Sequence, residues 1–102
     1  MIKVKYVLWW LLANTQGGEN RAKILKEIFE KPCNANELST ILGLNYKTIR
    51  YHLDLLEKNA IIFSVGEKYG KTYFPSDEIK ELESYFNEIL VKIIKKVDKE
   101  KL

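Results

Sequence analysis

Two amphipathic helical patterns separated by only three residues, 43–45, constrain the fold of this chain more than any other feature of its sequence. In the first pattern, three apolar residues are predicted to form the inner face: Leu38, Ile41 and Leu42. We expect Asn36 to cap the start of this helix and Gly43 to end it, because glycine adopts a left-handed C-cap without strain. Two helices joined by so short a link must pack at a steep angle.

The second helix of the pair is predicted to run from about Tyr46 to Lys58, with Asn45 as its cap. At 100° per residue, three apolar residues share one face: Ile49, Leu53 and Leu56. The opposite face carries Lys47, Tyr51, Asp54 and Lys58, with Arg50 on its shoulder. We therefore expect the polar face to point outward. His52 lies at the edge of the apolar face and is expected to hold the helix in place rather than to act as a ligand or an acid–base group.

The segments on either side of this pair complete the order of elements. An amphipathic helix is predicted from Arg21 onward, before the pair. After the pair, two β-strands at 61–65 and 71–75 flank a glycine-bounded turn that carries Lys68 and Lys71 at its tip. The chain is therefore predicted to be mainly α with a small β-hairpin, in the order α-α-α-α-β-β-α, which is a winged helix-turn-helix.

Both ends of the chain are predicted to be helical. The apolar run at 6–13 is far too short to cross a bilayer, and it predicts a buried helix, broken at Gly17 and Gly18, that docks on the domain or on a second copy. From Ser76, which is a good cap, apolar residues recur at steps of three and four. A helix of about 20 residues spans about 30 Å, which is longer than this domain needs to close its core, so its distal half is expected to mediate dimerisation.

The chain is predicted to have three parts: an N-terminal helix at 1–16 that contacts the dimer partner, a winged-helix core at 17–75 and a dimerisation helix at 76–102. The residues predicted for the dimer interface are Trp9, Trp10, Phe86, Ile89, Leu90, Ile93, Ile94 and Val97.

Composition limits the possible classes of function. With 102 residues, 46% of them hydrophobic, the chain is expected to form one globular domain. Lys and Arg total 17 against 14 Asp and Glu, and this net charge of +3 permits nucleic-acid binding without requiring it. One Cys and one His provide neither a disulfide nor a structural zinc site, and the lack of paired cysteines fits the cytoplasm. The sequence holds no catalytic constellation, so we expect neither an enzyme nor a cofactor.

Residues 36–58 resemble the DNA-reading core of ArsR-type regulators. The similarity lies in Glu37-Leu38, the turn Leu42-Gly43-Leu44, and the run Thr48-Ile49-x-x-His52-Leu53-x-x-Leu56. The predicted hairpin, which is the wing of this fold, also fits the pattern of this group from Gly66 to Phe74, including Tyr73. Two further motifs are similar to the first helix of archaeal members of the group: Gly17-Gly18 and Arg21-x-x-Ile24-Leu25. The resemblance covers about residues 17–75.

This resemblance implies a homodimeric transcriptional regulator that binds double-stranded DNA, with helix 45–58 in the major groove and wing 66–71 on the flanking backbone. The candidate DNA-binding residues are Asn45, Tyr46, Lys47, Thr48, Arg50, Tyr51, Lys68 and Lys71. Their chemistry fits these roles, because an arginine fork suits guanine edges, a helix N-terminus favours phosphate, and lysines on a wing tip suit phosphate contacts. Asp54 and Glu57 oppose binding by repelling phosphate locally.

The chain departs from the metal-sensing members of this group. They use cysteine pairs or clusters of His and Asp, whereas Cys33 stands alone and residues 76–102 contain no His, so no metal site is expected. Four aromatic residues are suited to line a pocket between subunits for a small apolar effector, although such residues more often belong to a core: Tyr6, Trp9, Trp10 and Phe86. The sequence does not identify an effector.

Two other functions compete with DNA binding. A winged-helix module can bind protein through the exposed helix 45–58 without binding DNA. A membrane-surface adaptor can bind lipid headgroups through Trp9 and Trp10, which lie near lysines in the sequence. We expect no membrane partner. The basic wing tip disfavours the protein-binding module.

Overall fold

Six α-helices and three short strands form the computed structural model, which describes the backbone of residues 2–101 and the side chains of residues 4–68 and 70–95. In chain order the elements are α1 (Ile2–Ala13), α2 (Gly18–Glu30), β1 (Cys33–Asn34), α3 (Ala35–Leu42), α4 (Tyr46–Lys58), β2 (Ile62–Val65), β3 (Thr72–Pro75), α5 (Asp77–Glu81) and α6 (Glu83–Lys101). This arrangement confirms the predicted fold class, and α4 has the predicted bounds.

The core lies where one face of α1, α2 and α4 meets the sheet and the start of α6. Its fully buried side chains come from every one of these elements, and they include Leu8, Leu11, Ile24, Leu25, Ile28, Ile49, Leu53, Leu56, Tyr73 and Phe86. The Phe86 ring packs against the Phe29 ring of α2 at a centroid distance of 5.1 Å. The apolar face predicted for α4 is therefore confirmed, and α1 contributes directly to the core of its own chain.

The corner between α3 and α4 follows the prediction in its turn but not in its cap. Gly43 ends α3 in the left-handed region, at φ 65°, and the Leu44 amide donates to the Ser39 carbonyl at 3.2 Å. The predicted cap Asn36 is wrong, because Asn34 caps α3 instead. The Asn34 side chain accepts from the Glu37 amide at 2.8 Å, and the Glu37 carboxylate accepts from the Asn34 amide at 2.9 Å. This reciprocal capping box satisfies two donors that Asn36 cannot reach from inside the helix.

The earlier start of α3 also changes its buried face. Ala35 and Leu38 are buried and Leu42 is half-buried, whereas Ile41 is 55% exposed. The prediction that Ile41 belongs to the inner face is therefore wrong. The steps of three and four residues from Ala35 to Leu38 to Leu42 define the buried stripe, and Ile41 falls beside it.

The sheet has one strand more than the predicted hairpin. β2 and β3 pair antiparallel, with Phe63 opposite Phe74 and Ser64 opposite Tyr73, and β1 pairs with the other edge of β3. The order β1-β3-β2 makes β3 the central strand. β1 therefore ties the base of the wing to the segment between α2 and α3.

The C-terminal helix is interrupted near its start. Ser76 caps the first helical segment, α5, as predicted. This segment ends at Glu81, because Leu82 leaves the helical conformation, and α6 begins at Glu83. The prediction of one continuous helix is therefore wrong at Leu82. Neither glycine nor proline marks this break, and the apolar periodicity runs through it unchanged.

The junction between α1 and α2 depends on a close backbone approach at Gly18. A Cβ atom at this position would lie 2.2 Å from the Leu12 carbonyl oxygen, a distance that only a backbone shift can relieve. Gly18 thereby allows α1 to end directly against the start of α2.

We predict that Gly18→Ala lowers the free energy of unfolding by about 1–3 kcal/mol, because the added methyl group overpacks a backbone contact. The measurement is urea unfolding followed by circular dichroism. Gly70→Ala is the matched control, since a Cβ there meets no described atom within 4 Å, and its expected change is below about 0.5 kcal/mol. Equal effects of the two substitutions would contradict the close approach.

Candidate nucleic-acid interface

The polar face of α4 points away from the core, as predicted. Lys47 is exposed and Tyr51 is 62% exposed, whereas Tyr46 and Thr48 are half-buried. Asn45 is the confirmed cap of this helix, and its side-chain oxygen accepts from the Lys47 amide at 2.7 Å. The first turn of α4 is therefore held in shape at the solvent surface, where its remaining amides favour an anion.

An open cleft of about 720 Å³ separates the first half of α4 from the wing. Four of the predicted residues line it, and we call it the basic cleft: Tyr46, Arg50, Lys68 and Lys71. The α4 residues and the wing residues lie about 20 positions apart in sequence and meet here because β2 and β3 return the chain toward α4. The basic cleft thus presents three cations on two different elements, with no carboxylate among its lining residues.

Both acidic residues of α4 contact a neighbouring polar side chain. Asp54 Oδ1 lies 3.6 Å from Arg50 Nη2, one turn earlier on the helix. Glu57 Oε2 accepts a hydrogen bond from the Ser64 hydroxyl of β2 at 2.7 Å. Glu57 therefore faces the sheet, and only Asp54 opposes an anion near the cations of α4.

A buried arginine, Arg21, lies behind α4, and the sequence motif that contains it did not indicate this role. Arg21 is 2% exposed, and its Nε donates to the Leu11 carbonyl at 2.9 Å while its Nη2 donates to the Gln16 carbonyl at 2.9 Å and to the Thr15 hydroxyl. These groups lie at and just beyond the C-terminal end of α1, where helix carbonyls favour a cation. The available signal was the position of Arg21 three residues before Ile24, which places a charge on the buried stripe of α2.

The same guanidinium reaches α4 through His52. Arg21 Nη1 lies 3.2 Å from His52 Nδ1, and because arginine only donates, Nδ1 is the acceptor and the neutral ring carries its proton on Nε2. The His52 ring also packs edge-on against the Tyr51 ring at a centroid distance of 5.2 Å. His52 therefore connects the α1–α2 junction to the exposed face of α4.

The residues predicted for the dimer interface occupy different environments. Trp9, Trp10 and Ile94 are exposed, Leu90 and Ile93 are half-buried, and Phe86 and Ile89 are buried in the core of their own chain. The side chain of Val97 lies outside the described residues. The exposed members lie on α1 and α6, which pack against each other.

A groove of about 270 Å³ runs between α1 and α6, lined by Trp9, Ala13, Tyr85, Glu88, Ile89, Lys92 and Ile93. Of the four aromatic residues considered for an effector pocket, only Trp9 contributes to this groove. Phe86 lies in the core instead.

Within the residues described, no three side chains of His, Cys, Asp or Glu come together as a metal site. Over that same part of the chain, no helix has the length and apolar character required to cross a bilayer.

Part of the chain matches a protein-family model. Residues 18–62 match the family model described as bacterial regulatory protein, arsR family. This segment begins with α2 and contains α3 and all of α4. No curated protein sequence is a significant match to the chain.

Several solved structures share the fold. HlyU from Vibrio cholerae N16961 aligns with a TM-score of 0.67 and 21% identity, over 86% of this chain and 94% of HlyU. A fragment of Mb0332 from Mycobacterium bovis, described as a homodimeric winged helix-turn-helix DNA-binding domain, aligns at 0.66 and 20%, over 93% and 81%. The transcriptional regulator Tm0710 from Thermotoga maritima aligns at 0.60 and 21%, over 97% and 72%. These likenesses confirm the winged helix-turn-helix fold.

We predict that the Arg21–His52 contact makes stability depend on pH. Burial and, to a smaller extent, the Arg21 charge lower the pKa of His52 from its ordinary 6.5. Because the folded state then binds this proton less tightly than the unfolded state, the contribution of His52 to the free energy of unfolding is constant above about pH 6.5 and falls as the pH drops below it.

The measurement compares urea unfolding of the wild type and His52→Asn between pH 5 and pH 8, since the asparagine amide retains an acceptor. His52 is the only histidine of the chain, so the difference between the two curves isolates it. Parallel curves over this range would contradict the buried, neutral ring.

Proposed function

We propose that this chain, whose residues 18–62 form an ArsR-family helix-turn-helix domain, is a sequence-specific regulator of transcription that binds double-stranded DNA as a homodimer. The observation that carries this proposal is the basic cleft, where cations of α4 and of the wing face one open space. A DNA duplex is a polyanion wide enough to contact both elements at once. In this proposal the protein acts in the cytoplasm.

The two elements have different roles in the proposed complex. Helix α4 enters the major groove, which admits an α-helix, and presents Lys47, Arg50 and Tyr51 to it. The wing places Lys68 and Lys71 on the flanking phosphates, which orient the protein without reading sequence. The capped first turn of α4, with Asn45, Tyr46 and Thr48, lies where backbone amides favour a phosphate.

The α1 and α6 helices form the proposed dimer interface. Trp9, Trp10 and Ile94 expose large apolar surfaces on these two helices, and a second copy would remove them from water. Mb0332, which has the same fold, is described as homodimeric. Two copies related by a two-fold axis would place their α4 helices about 34 Å apart, one turn of DNA.

The competing function is a winged-helix module that binds protein instead of DNA. It requires no cations on the wing, whereas Lys68 and Lys71 both line the basic cleft. Failure of the wild type to bind duplex DNA would favour this alternative.

We predict that Lys47→Glu combined with Arg50→Ala reduces the shift of genomic DNA fragments in a gel by at least about 100-fold in apparent affinity, because both remove contacts and the glutamate repels phosphate. The matched control is Lys26→Glu with Lys23→Ala on α2. It makes the same change in charge at two exposed residues outside the basic cleft, where ion pairs contribute little. Unchanged DNA binding by the α4 variant, or equal losses in both variants, would overturn the assignment of this surface.

We predict that Ile94→Glu converts the dimer into a monomer, because it places an unpaired charge in the apolar interface. Sedimentation equilibrium measures the mass directly. The control is Ile41→Glu on α3, since Ile41 is 55% exposed and Ile94 is 49% exposed, so that the same change is made at a similar surface position. A monomeric wild type, or a dimeric Ile94→Glu variant, would contradict the proposed interface.

A further inference from the structure

Among the cations proposed to contact DNA, Arg50 forms an ion pair with a carboxylate of its own helix. Its side chain is 29% exposed, whereas Lys47 and Lys68 are classed as exposed and Lys71 as half-buried. A lysine ammonium is a flexible point charge suited to phosphate. The arginine guanidinium is a planar fork, and its two parallel N–H groups match O6 and N7 of guanine in the major groove.

Two neighbours on α4 lie beside this fork. Asp54 Oδ1 forms an ion pair with Arg50 Nη2 at 3.6 Å. Tyr46 lies one turn earlier and lines the same cleft. A carboxylate beside an arginine lowers the cost of ordering that side chain when it binds.

We propose that Arg50 is the specificity-determining residue of this protein, that it recognises a guanine through O6 and N7, and that Asp54 is the positioning residue that orients its fork. Lys47, Lys68 and Lys71 then supply affinity without discrimination. This inference rests on the proposed function, and it adds the base that is read and the residue that reads it.

The test begins with selection of bound sequences from a random pool of DNA duplexes by the wild-type protein. Each guanine of the selected duplex is then replaced in turn by 7-deazaguanine, which lacks the N7 acceptor and keeps Watson–Crick pairing. At one guanine in each half-site, we expect the wild-type affinity to fall about 10-fold. For Arg50→Ala, the modified and unmodified duplexes should bind equally. For the control Lys68→Ala, affinity should fall on both duplexes while the 10-fold ratio is kept.

Asp54→Asn tests the positioning role. It should reduce the ratio between the two duplexes, while binding to a random duplex should not weaken, because the variant removes a negative charge near the cations of α4. A purely structural role of Asp54 would change the free energy of unfolding and leave the ratio intact.

The outcomes separate this inference from the function on which it rests. Enrichment of no duplex would overturn DNA binding itself. Selection of a duplex that tolerates 7-deazaguanine at every position, or an unchanged ratio in Arg50→Ala, would overturn guanine reading alone. An unchanged ratio in Asp54→Asn would overturn the positioning role.

Discussion

Burial of one face of α4 is the constraint on which the rest of the proposed function depends. Ile49, Leu53 and Leu56 are fully buried, which fixes the rotation of the helix and directs Lys47 and Tyr51 into solvent. Behind this face, Arg21 donates both to carbonyls at the end of α1 and to His52. The direction of the polar face is therefore set by apolar packing, and its position relative to α1 and α2 by one buried guanidinium.

The basic cleft depends on this packing and on the sheet. Central strand β3 pairs with β1 on one side and β2 on the other, so the wing leaves the core from a base held on both edges. Arg50 of α4 then faces Lys68 and Lys71 across one open space. Contacts that set affinity and a contact that sets specificity can thereby lie on different elements, lysines on the wing and an ion-paired arginine on the helix.

Strong local patterns in the sequence predicted much of this architecture. Features that depend on contacts between elements distant in the sequence were not predicted. The bounds of α4, its buried face and the Gly43 turn follow from helical periodicity and from glycine chemistry. Strand β1 has only two residues, too few to show alternation, and it exists because β3 offers it an edge. The break at Leu82 leaves the apolar spacing intact. The buried role of Arg21 was not predicted, because its hydrogen-bond partners lie on other elements: on α1, on the loop that follows it and on α4. Of the candidate site, the residue types were predicted from sequence, but the meeting of Tyr46, Arg50, Lys68 and Lys71 required the fold.

The central claim is that a DNA duplex occupies the basic cleft and the outward face of α4. Titration of the isotope-labelled protein with the selected duplex, followed through its backbone amide resonances, tests this claim most directly. We expect the largest shifts at residues 45–51 and 66–71, with small changes along α1 and α6, which form the proposed dimer interface. Shifts concentrated on α1 and α6, with the α4 and wing resonances unmoved, would contradict the account.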